Sequence, residues 1–410
     1  MRSQVLLVAL AITTSAPYST AAVEPLLQRP LQASLTDKLK SAEAPTYTNE
    51  LFKLHRNLVE IESISGNEYN VGNWLVSHLQ HEGYTVETQE VSKDRFNVLA
   101  HFGNRHTKIL LTSHIDTVPP FYPYGTHHNA SSNTTTIFGR GSVDDKASVA
   151  AQITAVNNLV SSDRVPKSAL SLLFVVGEET GGDGMRAANE LHLVPDTVIF
   201  GEPTEGKLAD GHKGNLGFTL HAKGKAAHSG YPWLGRSANE VLVKALAALM
   251  QVAEHLPSSE KYGSTTVNLG RIEGGVAANV VAETASAKIA VRLAAGTPAE
   301  SRVKITDALR AAVAEYEQDA GEEVLEIEWS SEGYGPVGID ADVTGFETIT
   351  VNYGTDIPNF KNFAGKKQKR YLYGPGSILV AHSDHEALVL EELVQAVEDY
   401  ERLVLHSLAK

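Results

Sequence analysis

The stretch SLLFVVGEET, Ser171 to Thr180, decides how the chain reads. Leu172 to Val176 form an unbroken apolar run, as expected of a strand buried on both faces in a parallel sheet. The run stops at Gly177 and delivers two adjacent carboxylates, Glu178 and Glu179. Ligands of open α/β sheets gather beyond the carboxyl ends of the strands, so two acids at that point are placed for chemistry. An isolated Glu-Glu pair there is ordinarily a solvated strand end. Here it has company.

Two other apolar runs end the same way. Lys108–Ser113 leads into His114-Ile115-Asp116, and Thr197–Phe200 leads into Gly201-Glu202-Pro203. If these strands are neighbours and parallel, their terminal side chains converge on one rim. Asp144 lies in GRGSVDDK (Gly139–Lys146), just before a helix with Val149, Ile153, Val156 and Val160 on one face. A carboxylate at such a junction is by itself most simply a cap.

Further outward, apolar spacing predicts helices at Leu51–Ile61 and Val71–His81, and alternation predicts strands at Tyr84–Val91 and Asn97–Phe102. The polar segment Pro119–Phe138 reads as a loop. It carries two glycosylation sequons, at Asn129 and Asn133. From Leu216 the order becomes β-α-β-β-α-β up to Trp329, a ferredoxin-like unit inserted in the chain. The return passes Gly354-Thr355-Asp356 and a strand expected near Gly376–Val380. It reaches AHSDHE (Ala381–Glu386) and closes on a helix through Leu390–Leu408.

Composition bounds the function. A chain of 410 residues with 42% hydrophobic and 20% charged residues is globular and long enough for two domains. A formal net charge of -14 argues against nucleic acid or an anionic membrane as main partner. Arg2, the apolar run Val5–Ile12 and Thr20-Ala21-Ala22 read as a secretory signal peptide, too short to span a bilayer. The expectation is therefore a secreted, extracellular protein. With no cysteine, such a chain is held by its core, by metal, or by both.

Imidazole and carboxylate together suit zinc, and without cysteine a zinc site is of the catalytic kind. His114, Asp144, Glu179, Glu202 and His382 supply five ligands for two metals, and Glu178 supplies a base. Asp116, two residues from His114, is placed to accept that histidine's other ring N–H.

HIDTVP (His114–Pro119), GRGSVDDK, GEETGG (Gly177–Gly182), GEP (Gly201–Pro203) and AHSDHE together resemble, in order, the motifs of one family. It is the dizinc family of glutamate carboxypeptidase, acetylornithine deacetylase, succinyl-diaminopimelate desuccinylase and aminoacylase. The resemblance runs from about Leu51 to the C-terminus and is greatest to secreted fungal carboxypeptidase-like members. It implies a zinc-peptidase-like α/β catalytic domain with a mixed central sheet flanked by helices, plus an inserted ferredoxin-like α+β lid or dimerisation domain. A signal peptide (1–22) would come first, and the catalytic domain would be split into two segments (23–215 and 334–410) by the insert (216–333).

The resemblance further implies two zinc ions per subunit. Asp144 would bridge them through a loop with a cis bond to Asp145; His114 and Glu202 would complete one metal, Glu179 and His382 the other. Glu178 would be the general acid/base. The family spacing selects His382 over His385. His228, in AHSG (Ala227–Gly230), would donate to the scissile carbonyl oxygen, in many relatives from the partner subunit of a homodimer. Asn279 and Arg292 would contact substrate. Glu at position 202 resembles the carboxypeptidase and acyl-amino-acid hydrolase branch. The expected substrate is a peptide with a free C-terminal carboxylate, the alternative an N-acyl amino acid. A non-catalytic scaffold is disfavoured, since every ligand and the base are present.

Overall fold

The computed structural model describes residues 45–409 apart from Ala364 and Lys366. The signal-peptide segment, residues 1–22, lies outside the described residues. A six-stranded mixed sheet forms the centre, in the order Thr85–Ser92, Arg95–His101, Leu170–Val175, Ile109–His114, Thr197–Gly201, Lys369–Tyr373. The first two strands pair antiparallel, and Arg95–His101 runs antiparallel to Leu170–Val175. The remaining four are mutually parallel. Every residue of Ile109–His114, Leu170–Val175 and Thr197–Gly201 is buried, which is why these strands read as apolar runs rather than alternating ones.

Helices cover the sheet. Lys146–Ser161 is buried along most of its length and packs against the C-terminal helix Leu390–Leu408. Thr48–Glu60 buries Leu51, Leu54, Leu58 and Val59, a stripe at i, i+3, i+7 and i+8. Among the described residues no helix is long and apolar enough to cross a membrane.

Gly214–Trp329 builds its own sheet in the order Thr266–Gly274, Thr284–Leu293, Gly214–Lys223, Leu325–Trp329, all antiparallel. This is the strand arrangement of a ferredoxin-like unit. Gly214–Lys223 alternates buried and half-buried residues, as a sheet covered on one face should. Helices Ala238–Ala253 and Pro298–Ala320 pack on that sheet. The second is well started, by a Thr297/Glu300 capping box with Pro298 in its first turn, and stops at Gly321 in the left-handed region. Phe218, Leu220, Val241, Leu249, Ile289 and Leu309 belong to a core cluster separate from that of the central sheet.

Two local expectations are corrected. Gly376–Val380 is a turn, although Ile378, Leu379 and Val380 are apolar; the strand is Lys369–Tyr373, paired in parallel with Thr197–Gly201. The polar segment after Pro119 is not only loop. Gly125–Asn129 and Thr134–Phe138 form a hairpin, to which Ala387–Val389 adds a third strand. Its largely solvated strands lack the alternation that would reveal them.

Candidate active site

Three adjacent parallel strands deliver ligand-type side chains to one rim. His114 ends the middle strand, Glu178 and Glu179 follow Leu170–Val175, and Glu202 follows Thr197–Gly201. Asp144 comes from the loop before Lys146–Ser161, and its peptide bond to Asp145 is cis. His382 comes from the turn after Val380, with a backbone φ of 62°.

Asp144 stands between the two imidazoles. Its Oδ1 lies 3.0 Å from His114 Nε2 and its Oδ2 lies 3.3 Å from His382 Nε2. His382 Nε2 is also 3.1 Å from Glu179 Oε1. One carboxylate thus presents one oxygen to each ring, as a ligand shared by two ions would. Donor atoms of His114, Asp144 and Glu179 lie within 4.8 Å of one another, and so do those of His114, Glu178 and Glu202.

Asp116 organises this group from below. His114 Nδ1 donates to the Asp116 carbonyl oxygen at 2.9 Å, while the carboxylate stands farther off, at 3.5 Å. The acceptor expected of the side chain is therefore chiefly the backbone oxygen. That donation leaves Nε2 free to act as the ligand atom. The Asp116 carboxylate instead accepts the backbone N–H groups of Glu178 and Glu179, at 3.0 and 3.3 Å, and the Ser65 hydroxyl at 2.7 Å. It fixes the turn that carries both glutamates.

The same turn is clamped from outside. Gly182 has φ 79°, and a Cβ there would collide with the Asn359 amide and stand 2.6 Å from Asp356 Oδ1. Only glycine accepts both the conformation and the contact. Asp356 in turn lines a small cavity together with His114, Glu178 and Glu202.

The electrostatics are those of acids crowded out of water. Burial pushes Glu178 well above the carboxylate range, and although His114 opposes this, Asp356, Glu179 and Asp116 add to it. Glu202 is also raised well above it, by burial and then by Glu178 and Asp144. Burial also raises Glu179, with Asp144 adding to it. Burial would raise Asp144 too, but hydrogen bonds from His114 and His382 hold it low. Hydrogen bonds to Asp144 and Glu179 lift His382 to about 10. Burial would lower His114, yet Asp116 and Asp144 keep it well above the usual imidazole value. Among the described residues no lysine or arginine forms an ion pair with Glu178, Glu179, Asp144 or Glu202; Asp144 and Glu179 pair with imidazoles instead. Acids gathered in this way need a compensating cation, and a set of carboxylate and imidazole donors without thiols fits a divalent metal.

Sequence reasoning did not single out the support of Asp144. Glu386, 3% exposed, accepts the backbone N–H groups of Val143 and Asp144 at 2.9 and 3.1 Å and pairs with buried Arg140 at 2.7 Å. His385 is exposed, and among the described residues its ion pair is with neighbouring Asp384.

The residues expected from the insert divide. Arg292 lies beside the site: its Nη1 is 3.1 Å from where a Cβ on Gly354 would be, two residues before Asp356. His228 and Asn279 are brought together elsewhere, on an exposed segment where Ser229 N–H donates to the Asn279 carbonyl at 3.1 Å. His228 accepts from Gly230 N–H at 3.0 Å, and among the described residues no hydrogen bond or ion pair joins it to the carboxylates. Asn129 and Asn133 are exposed at the tip of the hairpin.

Comparison with known proteins gives the same direction. Residues 210–320 match the family model described as peptidase dimerisation domain, and residues 97–193 match peptidase family M28. Proteins of Aspergillus flavus and Aspergillus oryzae, each described as a probable carboxypeptidase, are 47% identical over 418 residues, covering 96% of this chain and 96% of the relative. Among solved structures, a Staphylococcus aureus tripeptidase has a TM-score of 0.69 at 22% identity, covering 88% of this chain and 99% of that one. An M20 family metallo-carboxypeptidase of Sulfolobus solfataricus has a TM-score of 0.64 at 18% identity, covering 88% of this chain and 100% of that one. At such identities the solved structures speak to fold alone.

Proposed function

The chain belongs to the M20-like family of metallopeptidases, and we propose that it is a secreted dizinc carboxypeptidase that removes residues from peptides with a free C-terminal carboxylate. The observation that carries this reading is Asp144 set between His114 and His382, with Glu179 and Glu202 completing the donor set and Glu178 beside it.

His114, Asp144 and Glu202 would hold one zinc, and Asp144, Glu179 and His382 the other. Zinc bound there would polarise the scissile carbonyl and lower the pKa of the attacking water. Glu178 takes the proton from that water and delivers it to the departing amine, a role suited to a carboxyl whose proton affinity is raised. Asp116 keeps His114 and the Glu178–Glu179 turn in register. Arg292 holds the substrate carboxylate, with Asn279 contributing to binding. The insert (216–333), between catalytic segments 23–215 and 334–410, serves as lid and dimerisation domain, so that His228 reaches the carbonyl oxygen of a substrate bound to the partner subunit. Residues 1–22 direct secretion, and Asn129 and Asn133 carry glycans.

The test is to strip the purified protein of metal with a chelator, restore zinc, and follow N-blocked dipeptides with free or amidated C-termini. Activity should vanish, return with zinc, and favour the free acid. Turnover that survives metal removal, or equal turnover of acid and amide, contradicts the reading.

A further inference from the structure

Arg292 is not alone beside Gly354. In the insert's sheet Arg292 pairs with Asn215, and Asn215 is bridged on its other side by Tyr334 through two backbone hydrogen bonds of 2.9 and 3.0 Å. Residues paired directly across strands point to the same face, so Arg292 and Tyr334 flank Asn215 on one side. Their long side chains converge. A Cβ on Gly354 would collide with the Tyr334 hydroxyl oxygen while standing 3.1 Å from Arg292 Nη1. Glycine is what leaves that space open.

The Tyr334 ring is held in place. It packs edge-on against His212, with ring centroids 5.9 Å apart and planes at 80°. His212 is buried; its Nδ1 donates to the Lys213 carbonyl at 2.7 Å, and its Nε2 accepts from the Thr355 hydroxyl at 3.1 Å. Thr355 is the residue after Gly354, so one network fixes the phenol and the loop it faces. Burial holds the phenol protonated, with Glu178, Asp356 and Glu202 among the charges it senses and Arg292 opposing them. Its hydroxyl lies against Gly354, the residue before Thr355 and Asp356, which line the cavity. Among the described residues Arg292 forms no ion pair.

We propose that Tyr334 is a specificity-determining residue, its hydroxyl donating beside the Arg292 guanidinium to the C-terminal carboxylate of the substrate. The proposal rests on the carboxypeptidase reading and adds a second donor to it. A carboxylate offers an oxygen to each group. A C-terminal amide carries no charge and has one oxygen where the carboxylate has two, so it cannot offer a separate oxygen to each donor, and the pair selects acid over amide. Tyr334 also lies where the chain leaves the insert, tied to the strand by which it enters. Carboxylate binding is thereby linked to the junction between insert and catalytic domain.

The experiment compares wild type with Tyr334→Phe on an N-blocked dipeptide with free or amidated C-terminus. Where the amide is not turned over, inhibition by the product amino acid against its amide gives the same comparison. A hydrogen bond to a charged group predicts that KM for the acid rises roughly 10- to 100-fold. The turnover number and zinc content should hold, and kinetics on the amide should be unchanged, so the preference for acid shrinks. Equal losses on acid and amide would make Tyr334 a packing residue and overturn the proposal. Full retention of the preference would overturn it too, while leaving the carboxypeptidase reading intact. If wild type itself shows no preference for acid, that reading falls and the proposal with it.

Discussion

Glu386 illustrates how much of the candidate site rests on buried groups that stand behind the ligand-type side chains. Its carboxylate takes two backbone N–H groups, of Val143 and Asp144, and a buried guanidinium, that of Arg140. Removing it leaves Arg140, 2% exposed, without its counter-charge. Glu386→Ala should therefore cost about 3–5 kcal/mol of stability, and Glu386→Gln less, because one acceptor remains. Urea denaturation of the three proteins checks this, and an unaltered midpoint for Glu386→Ala would contradict it. His114, Glu178, Glu179 and Glu202 were legible in the sequence because each is a polar residue where an apolar run stops. Glu386 was visible only as a position marker for His382, and the roles of Ser65 and Tyr334 not at all. Those roles depend on partners far away along the chain, which local pattern does not encode.

Elements bring these groups together, and a single histidine ties one helix to the catalytic loop. His55, on Thr48–Glu60, donates from Nε2 to the Ser142 carbonyl at 3.0 Å, two residues before Asp144. Burial lowers it from 6.5 to about 4. Above pH 6.5 neither the folded nor the unfolded chain protonates this ring, and its neutral form fits the buried site. As pH falls below 6.5 the unfolded chain takes up a proton that the folded chain refuses, so stability drops until about pH 4. Urea denaturation across that window should show a shallower loss for His55→Gln than for wild type, whereas parallel slopes would contradict the assignment. Most elements were legible from periodicity, including the long C-terminal helix and the four long strands and two long helices of the insert, though not its short ladder Ser258–Ser259 with Gly263–Ser264. Lys369–Tyr373 was not, because it begins on two cations, while the apolar trio after Ser377 imitated a strand. The hairpin behind Asn129 was hidden by its solvated, polar strands.

At the scale of the molecule, a parallel core gathers strand ends on one rim while an inserted sheet presents Arg292 toward the same place. The order β-α-β-β-α-β made the insert readable; where its residues would stand relative to the rim was not readable, since that depends on packing between distant segments. Arg292 reaches the site within one chain, whereas His228 and Asn279 stand on an exposed segment, the placement a residue acting on a partner subunit would have. The proposed catalysis turns on a division of labour between Glu178 and the candidate ligands, even though Glu178 lies within ligand distance of His114 and Glu202. The most direct test is Glu178→Gln, assayed for zinc by elemental analysis and for turnover on a C-terminally free peptide in the same preparation. A base that is not a ligand predicts the same zinc content per chain as wild type, with turnover reduced roughly 10²–10⁴-fold. Zinc lost in step with activity would place Glu178 among the ligands and contradict that division.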